Sequence, residues 1–176
     1  MTDLAVPDTI LGLGDTDARL RVFIGNQPYL PQGFKLRSLV PLAPGELDLL
    51  IEENSNHWRK IFNIYAKLCF ALHPNQTTSW QEYRKQHLLQ AEHRHALIFS
   101  PWRKQQAQTD AITLICGKTY ATNLGLLAHC DDLGDGFFID STERLLVTPY
   151  FDYRALSNQR LKRLTDLITR YFNLNP

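Results

Sequence analysis

An excess of charge of either sign is the first thing this chain lacks: 19 Lys and Arg face 18 Asp and Glu, leaving +1. That balance excludes a strongly basic coat for nucleic acid, so any such binding rests on a local patch. Cysteine is scarce too. Cys69, Cys116 and Cys130 are odd in number, far apart, and set in or beside apolar segments. Free thiols in a reducing compartment are therefore expected, not a disulfide framework. No apolar run approaches the roughly 20 residues that a membrane helix needs. The N-terminal MTDLAVPDTILGLGDTDARL is acidic and has neither the basic start nor the long apolar core of a signal peptide. A soluble, cytoplasmic protein with no membrane partner is the expectation.

There is also no internal repeat, no low-complexity segment and no linker between two halves. With 176 residues and 44% hydrophobic content, the chain fits one domain over residues 1–176. Such a domain buries roughly 70% of its unfolded surface and needs no metal or disulfide to hold a core. Residues 1–19 carry Pro7, Gly12, Gly14 and several aspartates, and read as a loosely ordered entry or a surface strand.

Then the pattern sharpens. The stretch Arg21–Phe34, RVFIGNQPYLPQGF, runs from an apolar strand (Leu20–Ile24) through Gly25 into a proline-stiffened polar turn. Residues 30–47 are dense in proline and glycine, which predicts irregular chain, and a loop of that length inside a domain is usually functional. A helix is expected from Pro44 or Glu46. A longer one is expected over Ser55–Leu72, where Trp58, Ile61, Phe62, Tyr65, Leu68, Cys69 and Leu72 form one apolar stripe. Ser79–Glu92 reads as a third helix with Glu82 as capping-box partner. Ala96–Phe99 and Ala111–Cys116 read as buried strands, Tyr120–Ala128 as a helix and Asp131–Gly136 as a turn. Phe137–Asp140 and Leu145–Val147 read as strands, and Ser157–Phe172 as the last helix. Short, continuously apolar strands separated by helices argue for a mostly parallel sheet covered on both faces, a three-layer α/β/α domain.

Two tempting motifs fail. Gly117-Lys118-Thr119 lacks the upstream glycine of a phosphate loop, because that position is Ile112. His87, His93 and His95 cluster around a helix end, but no Cys or carboxylate completes a ligand set. They read as solvated or capping histidines, and no metal or cofactor is expected.

Four strand ends line up as one candidate site: Gly25–Tyr29, Ser100, Gly117–Tyr120 and Thr148–Tyr150. Here VFIGNQPYLPQGF resembles the first motif of uracil-DNA glycosylases, an apolar strand running into Gly-Gln-Asp-Pro-Tyr-His. ITLICGKTYATNLG is similar to a later strand of that family. LLVTPYFDYRALSNQRLKRL falls where the family carries His-Pro-Ser-Pro-Leu-Ser. The resemblance implies a base-flipping fold whose carboxylate and oriented water support an oxocarbenium-like state. It also exposes departures. The family's aspartate is Gln27 here, with Asn26 before it at a place where some members keep their carboxylate. The following histidine is Leu30, and the leaving-group histidine is Thr148. Ser100 stands nearest to the asparagine that reads uracil. Tyr29 is kept where an aromatic ring excludes the thymine methyl group.

The resemblance thus implies Asn26, Gln27 and Thr148 as the candidate catalytic set. Gly25, Pro28, Tyr29, Phe34, Ser100 and Tyr150 are the candidate base-binding set. Lys118, Arg103 and Arg154 are candidate phosphate contacts. The expected function is binding of DNA, a nucleobase or a nucleotide without efficient base excision. The alternatives are an active glycosylase with an amide-based site, and a protein-interaction module on the same fold.

Overall fold

A computed structural model describes residues 9–31, 36–104 and 110–173 of the chain. Eight strands form one sheet: β1 (Gly12–Gly14), β2 (Leu20–Phe23), β3 (Leu39–Val40), β4 (His95–Ile98), β5 (Ile112–Cys116), β6 (Asp131–Gly134), β7 (Phe137–Asp140) and β8 (Leu145–Thr148). Their order is β3-β1-β4-β2-β5-β8-β7-β6. At the centre β4, β2, β5 and β8 run parallel. The flanks turn back, with β1 antiparallel to β4 and the β6–β7 hairpin antiparallel beside β8.

The central strands are apolar throughout because both of their faces are covered. Val22, Leu97, Leu114 and Leu146 join one buried cluster, shared with α1 (Glu46–Glu53), α2 (Asn56–Leu72), α3 (Trp80–Gln86) and α5 (Asn158–Phe172). Phe23, Ile98, Ile115 and Val147 join a second cluster on the other face, closed by Ala121 of the short α4 (Lys118–Asn123) and by Leu124, Leu126 and Leu127. The α2 stripe seats Tyr65 against the sheet, where its buried hydroxyl donates to Ala96 O at 2.8 Å.

Five elements depart from the sequence reading, among them α4, which runs Lys118–Asn123 where Tyr120–Ala128 is expected, and β3, which lies in chain expected to be irregular. Of the two readings of the entry segment, strand holds for residues 12–14 but not at the surface: they form β1, buried between β3 and β4. Asp131–Gly134 is an edge strand, not a turn. The reversal is confined to Asp135-Gly136, both at positive φ (56° and 86°), the Asp-Gly pairing that suits a two-residue hairpin. The third helix stops at Gln86, six residues before its expected end.

The cause of that stop is His95. Its Nε2 accepts from Leu89 N at 2.8 Å, taking the amide that a longer helix would turn toward its own carbonyl. Its Nδ1 contacts His93 O, also at 2.8 Å. Both bonds are made at once only by the neutral ring, protonated on Nδ1. The intervening chain holds Leu89, Glu92 and Arg94 at φ near +60° to +70°, a conformation that non-glycine residues adopt at a cost. His95 is 2% exposed, so it is a core clip and not the solvated or capping residue expected.

Burial lowers the His95 pKa from 6.5 to about 4. Below pH 6.5 the unfolded chain accepts a proton that the folded chain refuses, so stability is complete above that pH and falls as pH drops toward 4. The expected loss is about 3 kcal/mol. His93 and His73 are lowered in the same direction by burial and add to it. Urea unfolding at a series of pH values should show this fall, and a His95→Gln protein, which cannot titrate there, should show a shallower one. Equal slopes would place the effect elsewhere.

Candidate functional site

The central strands set the location. After β2 the chain runs through β3 and three helices to β4 on one side, and after β5 it runs through α4, β6 and β7 to β8 on the other. The direction of winding therefore reverses between β2 and β5. In open α/β sheets the crevice beyond the carboxyl ends of such a strand pair is where ligands bind. A cleft of about 480 Å³ lies there, and Gly25, Asn26, Gly117, Lys118, Tyr120 and Tyr150 are among its lining residues.

Two glycines let aromatic rings rest on the strand ends. A Cβ on Gly25 would stand 2.8 Å from the Tyr120 ring. Gly117 holds φ at +99°, and a Cβ there would stand 3.3 Å from the Tyr150 ring. Its amide still donates to Thr148 O at 2.9 Å, which extends the β5–β8 ladder by one residue and fixes the level from which Tyr150 emerges.

Tyr150 is then held from two sides. Its hydroxyl donates to Asn26 Oδ1 at 3.2 Å and lies 2.9 Å from His57 Nε2. The His57 and Tyr150 rings stack at 5.5 Å with planes 19° apart, and Asn26 Nδ2 lies 3.4 Å from the same imidazole nitrogen. Asn26, His57 and Tyr150 thus form a closed triangle drawn from the β2 loop, the first turn of α2 and the chain after β8.

The β2 loop itself is tied down by Asn54. The Asn54 amide accepts from Tyr29 N at 2.8 Å and donates to Tyr29 O at 2.9 Å, while also donating to Leu50 O at 2.8 Å. Pro28 is buried beneath, and Tyr29 projects outward at 59% exposure.

The structure brings only part of the expected set together. Gly25, Asn26, Lys118 and Tyr150 line the cleft; Gln27 is exposed outside its lining. Thr148 is wholly buried, and its hydroxyl donates to Pro149 O at 2.8 Å, so it is not presented to a ligand. The Ser100 hydroxyl accepts from Leu11 N at 3.0 Å, which pins the segment before β1. Arg154 is exposed beyond the Tyr150 turn, with its amide on Asp152 Oδ1. Arg103 lies in the exposed chain after β4, away from the cleft lining. Phe34 lies outside the described residues.

His57 is not singled out in the sequence, and Asn54 reads there only as a plausible N-cap of the long helix. Their signal is faint: His57 sits four residues before Ile61, so the apolar stripe of α2 extended back one turn reaches it. Side chains at a helix start lean toward the preceding loop.

The chemistry on offer is recognition by aromatic and amide groups. Among the described residues, none that lines the cleft is a carboxylate. Burial pushes the Cys116 thiol up to about 12, so it is no thiolate at neutral pH, and its Sγ accepts from Phe151 N. Burial raises Tyr120 and Tyr150 as well, leaving both phenols neutral. Among the described residues no cluster of three His, Cys, Asp or Glu is arranged to hold a metal ion, and no helix is long and apolar enough to cross a membrane.

Fold and cleft together define an α/β protein with a cleft at the carboxyl edge of a parallel sheet core. The chain belongs to DUF6942, a family of unknown function, whose model matches residues 11–169. No curated protein and no solved structure matches it.

Removing the loop's anchor should be measurable. Asn54→Ala deletes three hydrogen bonds, two of them to Tyr29, and is expected to lower stability by about 1–2 kcal/mol. Amide exchange at Tyr29 should accelerate more than exchange in β2. Unchanged exchange there would show that the clamp does not hold the loop.

Proposed function

We propose that this protein binds a nucleobase, presented as a nucleotide or within single-stranded nucleic acid, and does not excise it efficiently. The observation that carries this reading is the cleft between β2 and β5. Tyr120 and Tyr150 offer aromatic faces over glycine backbone, Asn26 offers an amide edge, and Lys118 stands at the same cleft. Base stacking on aromatic side chains beside a cation is the usual physical basis for holding single strands, and an amide pairs with the donor and acceptor edge of a base. The resemblance of Gly25, Pro28 and Tyr29 to the first motif of uracil-DNA glycosylases supports the same ligand class.

The case against efficient excision is chemical. The oxocarbenium-like state of glycosidic cleavage calls for a nearby carboxylate, and none lines the cleft among the described residues. Gln27 is a carboxamide, and the Thr148 hydroxyl is spent on backbone. One observation favours a second reading, slow excision in the same cleft. Asn26 is braced by Tyr150, and with His57 beside it an attacking water would have partners.

Fluorescence anisotropy with labelled single-stranded oligonucleotides at low salt tests the first reading. Binding is expected, and Tyr150→Ala should weaken it about 10- to 100-fold through lost stacking. Absence of binding at low salt would end the proposal. Incubation with uracil- or hypoxanthine-containing strands, followed by alkaline cleavage, separates the readings. Intact strands are expected, whereas abasic sites that vanish in Asn26→Ala would favour excision.

A further inference from the structure

A second concavity lies at the opposite end of the same strands. It has a volume of about 320 Å³ and is entered beside the starts of β2 and β4, so it shares no residue with the cleft above. Leu20, Cys69 and Leu72 give it an apolar floor. Volumes near 300 Å³ are at the small end of cavities that hold metabolite-sized ligands.

Its polar groups are left over from folding. His73, the residue that ends α2, uses its backbone amide to cap Cys69 O, and its ring makes no hydrogen bond among the described residues. His93 offers its backbone carbonyl to His95, while its ring packs against His87, at 4.1 Å between centroids, and more distantly against His95, at 6.5 Å. Both rings are held toward the neutral form by burial, so each brings a hydrogen-bonding edge without a charge. Arg19 and Arg94 line the same cavity. Their backbones are tied to each other, Arg19 N donating to Arg94 O at 2.8 Å, yet neither guanidinium forms an ion pair among the described residues. Among the described residues Glu92 is the one acid in this lining, while Asp15, Asp17 and Asp110 line the adjoining concavity that shares Arg19, Glu92 and Arg94. The anion's attraction therefore rests on the two guanidiniums themselves and not on a net positive field.

Shape and chemistry agree on an occupant with two parts. The floor takes a short apolar body, and two uncommitted guanidiniums take a compact anion, for which a planar carboxylate is the natural match. The strained segment Leu89–Arg94 sets the wall. It holds Arg94 at φ +59°, and the bond from Leu89 N to His95 Nε2 ties the start of the segment to the core. We infer that this cavity is a binding site for a small monocarboxylate with an apolar tail, separate from the cleft at the strand carboxyl ends. The inference does not depend on the nucleobase reading, because the two sites have no residue in common.

Amide-resolved NMR titration of the full chain at neutral pH tests it, with hexanoate, 1-hexanol and inorganic phosphate as probes. Hexanoate is expected to give saturable shifts at Cys69, Leu72, His73 and His93. Hexanol lacks the anion and phosphate lacks the tail, so each should bind at least tenfold more weakly. The double variant Arg19→Gln/Arg94→Gln should weaken hexanoate tenfold or more, since charge-assisted hydrogen bonds carry that much. Both arginines are exposed, and an unchanged thermal melt confirms that the variant folds. Glu92→Gln removes the opposing charge and should tighten binding. The inference is overturned by hexanoate shifts confined to Asn26 and Tyr150, by hexanol or phosphate binding as tightly as hexanoate, or by arginine variants that bind unchanged.

Discussion

Everything in this molecule is registered against β2. Its four residues pair with β4 on one side and β5 on the other, both in parallel, so each backbone group of the strand is committed within the sheet. Val22 points into one core and Phe23 into the other, which leaves no face free to shift without exposing a full set of apolar side chains. Slipping this strand by one residue would exchange the two cores. The level at which Gly25 leaves the sheet is therefore determined by packing and not by the loop.

That fixed level makes the cleft a consequence of the core. Gly25 and Gly117 emerge side by side because β2 and β5 are neighbours in register, with Phe23 opposite Ile115. Absence of a Cβ at either place lets a tyrosine ring lie on backbone. The third wall comes from β8, whose register with β5 places Thr148 opposite Cys116 and delivers Tyr150 two residues later. The polar triangle of Asn26, His57 and Tyr150 closes over strand ends that hydrophobic packing has already positioned.

The central strands and the long helices could be read from the sequence because their signals are strong and local. Continuous apolar runs at 112–116 and 145–148, and the 3- and 4-residue stripe of α2, each satisfy one period only. β1 was harder, since Gly12 and Gly14 left loose entry and surface strand equally open. They are close-approach residues: a Cβ on Gly12 would stand 2.3 Å from Leu97 O, so glycine is what allows β1 to lie against β4. The early end of α3 was hidden because the competing acceptor, His95, lies six residues beyond Leu89. At the site, strand-end residues were legible, whereas partners contributed by distant elements were not. His57 meets Tyr150 across 93 positions and Asn54 meets Tyr29 across 25, and a single polar residue at a helix start carries no mark of such a meeting. Thr148 and Ser100 occupied the right addresses in the chain but turn their hydroxyls to backbone.

The Asn54 amide treats Tyr29 as a neighbouring strand would, offering one donor and one acceptor to a residue that has left the sheet. A side chain thereby prolongs strand-like order past the last backbone ladder and into the loop. The entropy of ordering that backbone is settled during folding, when α1 and α2 pack, instead of at the moment a ligand arrives. A loop prepared in this way contributes its contacts to affinity with little conformational penalty. It also leaves adaptation to outward side chains of the turn, the ring of Tyr29 among them.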